Sequence, residues 1–298
     1  MKRIRKIIKT LVIIALLIFI FIFLKDSLGQ IFNLSGDKTG EQYDSEYIYV
    51  LDREDKTELI KHNENTRAYP ASLTKIMTTL VALEHIENLS SLAPVDVETY
   101  QKMVKENASM AGFYGMESTS YRDLLYGTIL SSGGEAANSL AINISENTED
   151  FVHLMNDKAR DLGLKDTNFT NVEGLHDENQ YTTAKDMAKL LDHALDNGDF
   201  RAIFTRPSFQ TSPTLDHPDG IVLKSTVLSK LEGIDQAGFR IIGGKSGTTS
   251  KSGQCWISLG LKEDKEYIVV VMGSKLKDIN NPSDKHIEDT LKIYEDIR

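Results

Sequence analysis

The sequence predicts an α+β fold in which one antiparallel sheet is assembled from distant segments, and three observations support this. β-rich runs lie near both ends of the chain, at residues 47–51 and 57–60 and again from Ile221 onward. Between them apolar residues recur at helical spacing. Gly or charged turns divide the strand-like runs from one another. Strands at both ends with helices between imply that the terminal segments pair in one sheet, and that a helical lobe, about residues 87–200, is inserted there.

Residues 1–9 are basic, with Lys2, Arg3, Arg5, Lys6 and Lys9, and residues 11–24 are unbroken apolar sequence ending at Lys25-Asp26. A basic segment followed by an apolar one marks export, with the N-terminus left on the cytoplasmic side. Residues 1–24 are therefore read as a retained signal-anchor or a cleaved signal peptide, with Ser27-Leu28-Gly29 as an imperfect cleavage site. Residues 25–45 read as a polar tether. The folded domain then occupies residues 46–298.

A hairpin is expected first, from residues 47–51 through the charged turn Asp52-Arg53-Glu54-Asp55 to residues 57–60. Next comes Tyr69-Pro70-Ala71-Ser72-Leu73-Thr74-Lys75, with Leu73, Ile76, Met77, Leu80, Val81 and Leu83 at helical spacing. This predicts a buried helix starting at or beside Ser72. Ser120 with Asp123 three residues on caps a helix over residues 121–130, and further helices are expected from about Glu135, over residues 149–162, and over residues 184–194 behind Thr183. Strands return at residues 221–223, 239–242, 255–261 and 267–272. Pro282 opens a terminal helix on which Ile287, Leu291 and Tyr294 mark one apolar face.

Composition narrows the function classes. The chain has 298 residues, 40% hydrophobic and 26% charged, enough to bury a full core. Its formal net charge of −10 and the lack of a basic stripe past the N-terminus argue against nucleic acid. The single cysteine, Cys255, sits in an apolar run and reads as a buried small hydrophobe. The seven histidines show no metal-ligand spacing, so neither a metal nor a cofactor is expected.

Three stretches carry chemistry. Ser72 and Lys75, three apart, share one helix face, where a lysine amine can take the serine's proton if burial lowers its pKa. The same Ser-x-x-Lys spacing occurs at Ser35/Lys38 and Ser274/Lys277, but only Ser72 opens an amphipathic helix. Ser131-Ser132-Gly133-Gly134-Glu135 places a glycine pair before a helix, a turn able to hold a hydroxyl in a cleft. Ile242-Gly243-Gly244-Lys245-Ser246-Gly247-Thr248-Thr249 places a lysine on a glycine-flanked strand edge that can approach a substrate and offer a backbone N–H to an oxyanion. Lys251-Ser252-Gly253 repeats the pattern but falls in a turn. Glu173 is assigned to a loop.

In that order, Ser72-x-x-Lys75, Ser132 before its helix and Lys245-Ser246-Gly247 resemble the signature elements of penicillin-binding proteins and serine β-lactamases. Residues 70–78, 121–130, Gly174-Leu175-His176-Asp177 and residues 181–188 are similar to the low-molecular-mass D-alanyl-D-alanine carboxypeptidases, and the similarity runs over about residues 45–298. The resemblance implies a β-lactamase/transpeptidase-like fold with an antiparallel sheet flanked by terminal helices. It implies Ser72 as nucleophile on a peptidoglycan stem peptide ending in D-Ala-D-Ala, Lys75 as base and Ser132 as proton relay. Lys245 and Ser246 would hold the terminal carboxylate, and the Ser72 and Thr248 N–H groups would form the oxyanion hole. β-Lactams would acylate the same serine, on the outer face of a membrane. Gly134 departs from the family's usual asparagine, which leaves substrate positioning open and admits a catalytically impaired penicillin-binding sensor. A serine β-lactamase is the remaining alternative.

Overall fold

Alternation along the strands builds a sheet that is buried on both faces. The computed structural model describes residues 42–276, 278 and 283–297. Strands β1 (Tyr47–Asp52) and β2 (Glu58–His62) form the expected hairpin, and β7 (Arg240–Thr249), β8 (Gly253–Lys262) and β9 (Lys265–Ser274) complete an antiparallel sheet of order β2-β1-β9-β8-β7. The N-terminal strand closes onto the C-terminal one, with Tyr49 opposite Val270. Ile48, Val50, Trp256, Val269 and Val271 point to one face, where they pack with Ile287, Ile293 and Tyr294 of the terminal helix α8 (Lys285–Asp296). Tyr49, Leu51, Cys255, Ile257, Ile268 and Val270 point to the other, against the helices. Period-two alternation thus feeds two cores from one sheet. Each fully buried aliphatic or aromatic side chain contributes about 1.5–3 kcal/mol.

Between β2 and β7 the chain is mainly helical: α1 (Lys75–His85), α2 (Val97–Lys105), α3 (Tyr121–Ile129), α4 (Gly134–Ser145), α5 (Thr148–Asp161), α6 (Ala184–Ala194) and α7 (Gly198–Phe204). The predicted caps hold: the Ser120 hydroxyl accepts from the Asp123 N–H while the Asp123 carboxylate reaches back, and the Thr183 side chain accepts from the Asp186 N–H. Helices α2 and α7 escaped the sequence reading. Helix α2 fully buries only Met103 on a mostly exposed surface, and α7 spans only two turns, so neither carries a long apolar stripe.

Two short ribbons lie outside the main sheet: β3 (Leu92–Pro94) with β4 (Ser118–Ser120), and β5 (Ser208–Gln210) with β6 (Val222–Lys224). The run at residues 221–223 therefore forms a strand but not one of the main sheet, because its partner is the local segment Ser208–Gln210. Pro282, the apolar run at residues 11–24, and the Ser35/Lys38 pair lie outside the described residues. Among the described residues no helix is long and apolar enough to cross a membrane.

Candidate active site

Ser72 does not sit at an α-helix N-cap. It lies inside a single 3₁₀ turn, Ala71–Thr74, and α1 begins only at Lys75. The turn is entered through Ala71 at φ +47°, a backbone region that favours glycine. Its neighbours hold it there. Thr74 Oγ1 donates to the Ala71 carbonyl at 2.8 Å, and a β-carbon on Gly174 would fall 2.0 Å from that same oxygen, so the loop of Gly174 packs directly on the turn. The three-residue spacing still works: Lys75 Nζ donates to Ser72 Oγ at 3.2 Å, and to the Glu173 carbonyl at 2.5 Å.

The second serine is also on a strained backbone. Ser132 has φ +61° in the connection between α3 and α4, and its hydroxyl accepts from Lys245 Nζ at 2.8 Å. Lys245 lies on the edge strand β7 and also donates to the Ser246 carbonyl at 2.7 Å. The Lys245 side chain is fully buried rather than solvated at the strand end. Ser246 Oγ is bonded to Thr226 Oγ1 at 2.9 Å, a partner without a sequence signal. Gly247 brings β7 against the turn: a β-carbon there would lie 2.7 Å from the Ser72 nitrogen. Only glycine lets the strand edge and the Ser72 backbone approach so closely. Thr248 follows, exposed at the strand edge opposite Gln254.

Lys251-Ser252-Gly253 forms the β7–β8 turn as expected, with Ser252 Oγ accepting from Thr249 Oγ1 at 2.8 Å. Of the Ser274/Lys277 match, Ser274 is buried at the end of β9 and Lys277 lies outside the described residues. Cys255 is buried as expected, and burial pushes its thiol up to about 11.

Electrostatics separate the two lysines. Burial pulls Lys75 down to about 8, with Glu173 and Glu135 opposing the shift. Burial and then the charge of Lys75 push Lys245 well below the usual lysine range. Two buried cations within electrostatic reach of each other cannot both be comfortable. An amine near 8 beside a serine hydroxyl can accept its proton near neutral pH. Backbone N–H groups of the Ser72 turn and the β7 edge, brought together by Gly247, can stabilise an oxyanion.

Three buried polar residues of the site had weak sequence signals. Asn138 Nδ2, one turn into α4, donates to the Gly134 carbonyl at 2.9 Å and to Glu173 Oε2 at 3.2 Å. Glu173 lies in a loop as expected, and the loop is buried because it folds back onto α1: Thr78 Oγ1 donates to the Val172 carbonyl at 2.6 Å. Glu135 accepts from the Ala111 and Gly112 N–H groups, while its Oε2 is buried without a hydrogen-bond partner among the described residues. Burial raises the Glu135 carboxyl against those bonds. Asn138 and Glu135 stand three apart on α4, the one spacing that could have flagged them.

Gly134 has a packing reason. A β-carbon there would lie 2.7 Å from the Met103 sulfur, so the volume an asparagine would need is filled by α2. A concavity of about 830 Å³ lies beyond the strand end, lined in part by Arg67, Tyr69, Lys251 and Lys275 and by none of Ser72, Lys75, Ser132 and Lys245.

Comparison with known proteins places this arrangement. Residues 36–276 match the family described as D-alanyl-D-alanine carboxypeptidase. The chain is 28% identical over 262 residues to D-alanyl-D-alanine carboxypeptidase DacF of Bacillus subtilis, covering 87% of this chain and 66% of that one. It is 30% identical over 249 residues to DacC of Escherichia coli, covering 80% and 59%. The chain thus spans less than two thirds of these curated relatives. The crystal structure of the Streptomyces K15 DD-transpeptidase superposes with a TM-score of 0.73 at 25% identity, covering 85% of this chain and 97% of that one.

Proposed function

The chain belongs to the D-alanyl-D-alanine carboxypeptidase family, and on that premise we propose that it is a serine D,D-carboxypeptidase that removes the terminal D-alanine from peptidoglycan stem peptides. One observation carries the reading. Ser72 Oγ is bonded by Lys75 Nζ, and Ser132 Oγ by Lys245 Nζ, with both amines buried and Lys245 within reach of the Lys75 charge.

In this reading Lys75 takes the Ser72 proton as Oγ attacks the carbonyl between the last two D-alanines. The negative oxygen is held by the Ser72 and Thr248 N–H groups. Ser132 passes a proton to the departing amine, the C–N bond breaks, and D-alanine leaves. Water then attacks the ester on Ser72, returning the hydroxyl and releasing the shortened peptide. Lys245 and Ser246 bind the terminal carboxylate, with Thr226 orienting the Ser246 hydroxyl. β-Lactams would acylate Ser72 by the same attack.

Residues 1–24 supply the anchor or export signal in this proposal, residues 25–45 the tether and residues 46–298 the catalytic domain on the outer face of the membrane; the basic-then-apolar pattern supports it. A second reading, a penicillin-binding sensor with little turnover, is favoured by the filled space at Gly134. The test is D-alanine release from a stem pentapeptide by the purified chain, with Ser72→Ala as control. One equivalent of D-alanine per peptide, absent in the control, establishes the carboxypeptidase. Covalent penicillin labelling of Ser72 without release selects the sensor.

A further inference from the structure

Gly134 stands where the family resemblance implies an asparagine, and Met103 fills the space beside it. A side-chain amide reaches the Gly134 carbonyl from one turn further along α4. Asn138 is buried, and its Nδ2 joins the Gly134 carbonyl at the start of α4 to the carboxylate of Glu173. Glu173 in turn offers its backbone carbonyl to Lys75 Nζ, so one residue meets the amine through its main chain and Asn138 through its side chain. The segment has little freedom to move. The Gly174 N–H is held by Asn171 Oδ1 at 2.7 Å, and Gly174 packs on the Ala71 carbonyl.

Three charged groups face Lys75 from the elements around it: Glu173 from its loop, Glu135 from α4 and Lys245 from β7. Glu135 is committed to the Ala111 and Gly112 N–H groups. The Glu173 carboxylate accepts from the neutral Asn138 amide. We infer that Glu173, fixed by Asn138, is a positioning residue for Lys75: its carbonyl aims the amine at Ser72, and its carboxylate sets the pH at which that amine becomes a base.

The inference rests on Ser72 as nucleophile and Lys75 as base. Its sign follows from charge. A carboxylate favours the protonated amine, so removing it makes the amine a base at lower pH. Glu173→Gln retains size and a hydrogen-bonding partner for Asn138 while removing the charge. The measurement is the rate of Ser72 acylation by a β-lactam against pH, on the whole chain. We expect the acid limb to move down by about one pH unit, so that near pH 6 the rate relative to its plateau rises roughly tenfold. Asn138→Ala frees the carboxylate to relax towards the cation and moves the limb up instead. An unmoved limb in both variants, or a uniform loss of rate at every pH, overturns the inference and leaves Glu173 as packing. Absence of acylation at Ser72 in the unaltered chain would instead overturn the reading of the site itself.

Discussion

The two buried lysines differ in what surrounds them. Lys75 has a carbonyl, a serine hydroxyl and two buried carboxylates nearby; Lys245 has a serine hydroxyl, a carbonyl and the charge of Lys75. Burial acts on both in the same direction, so burial alone cannot assign them different tasks. Their neighbours do. Carboxylates keep Lys75 titrating near 8, within reach of a base at neutral pH. Lys245 lacks that support, so an incoming carboxylate is the partner that would restore its charge. The difference teaches that a base and an anion anchor can be made from one residue type by placing acids on one side only.

The sharpest way to break the comparison is to remove one lysine at a time. Lys75→Ala should lower Ser72 acylation by about 10²–10⁴-fold towards β-lactam and peptide alike, measured as second-order acylation rates. Lys245→Ala should cost kcat/KM mainly on peptides with a free terminal carboxylate, by about 10–100-fold, a loss of about 1.4–2.7 kcal/mol. Equal losses on a substrate with that carboxylate amidated would show that the two lysines are not specialised.

A filling substitution probes the surroundings. Gly134→Asn forces Met103 aside and should destabilise the fold by about 1–3 kcal/mol, read as a lower Tm or denaturation midpoint. Unchanged stability would mean that α2 yields readily. If turnover then rises despite the strain, the missing amide limits the reaction.

The unaltered chain sharpens the comparison further. Only neutral Lys75 accepts a proton, so acylation should climb as pH rises through about 8 and level off above it. A flat profile from pH 5 to 9 would contradict Lys75 as the titrating base. The smallest effect is expected from Ser246→Thr, which keeps the hydroxyl facing Thr226 and should alter kcat/KM by no more than about threefold.

Much of the framework is legible from local rules. The hairpin, the periodic helices, the Ser120/Asp123 box and the Ser72/Lys75 pair all join residues close in sequence, where a period of 2 or 3.6 decides which side chains meet. Cys255 followed from its apolar run. The same rules missed α2, whose exposed surface hides its one buried anchor, and put residues 221–223 in the wrong sheet.

The sequence by itself determined the strand and helix order, the serine-lysine pair and the glycine-flanked lysine strand. Tertiary structure alone decided that Lys245 meets Ser132, 113 positions away, that Glu173 meets Lys75, 98 positions away, and that Met103 occupies the space at Gly134. Contacts at such separation are selected by how β7 and the Glu173 loop close onto the start of α1. That closure depends on the summed packing of two cores, and no short sequence pattern contains it.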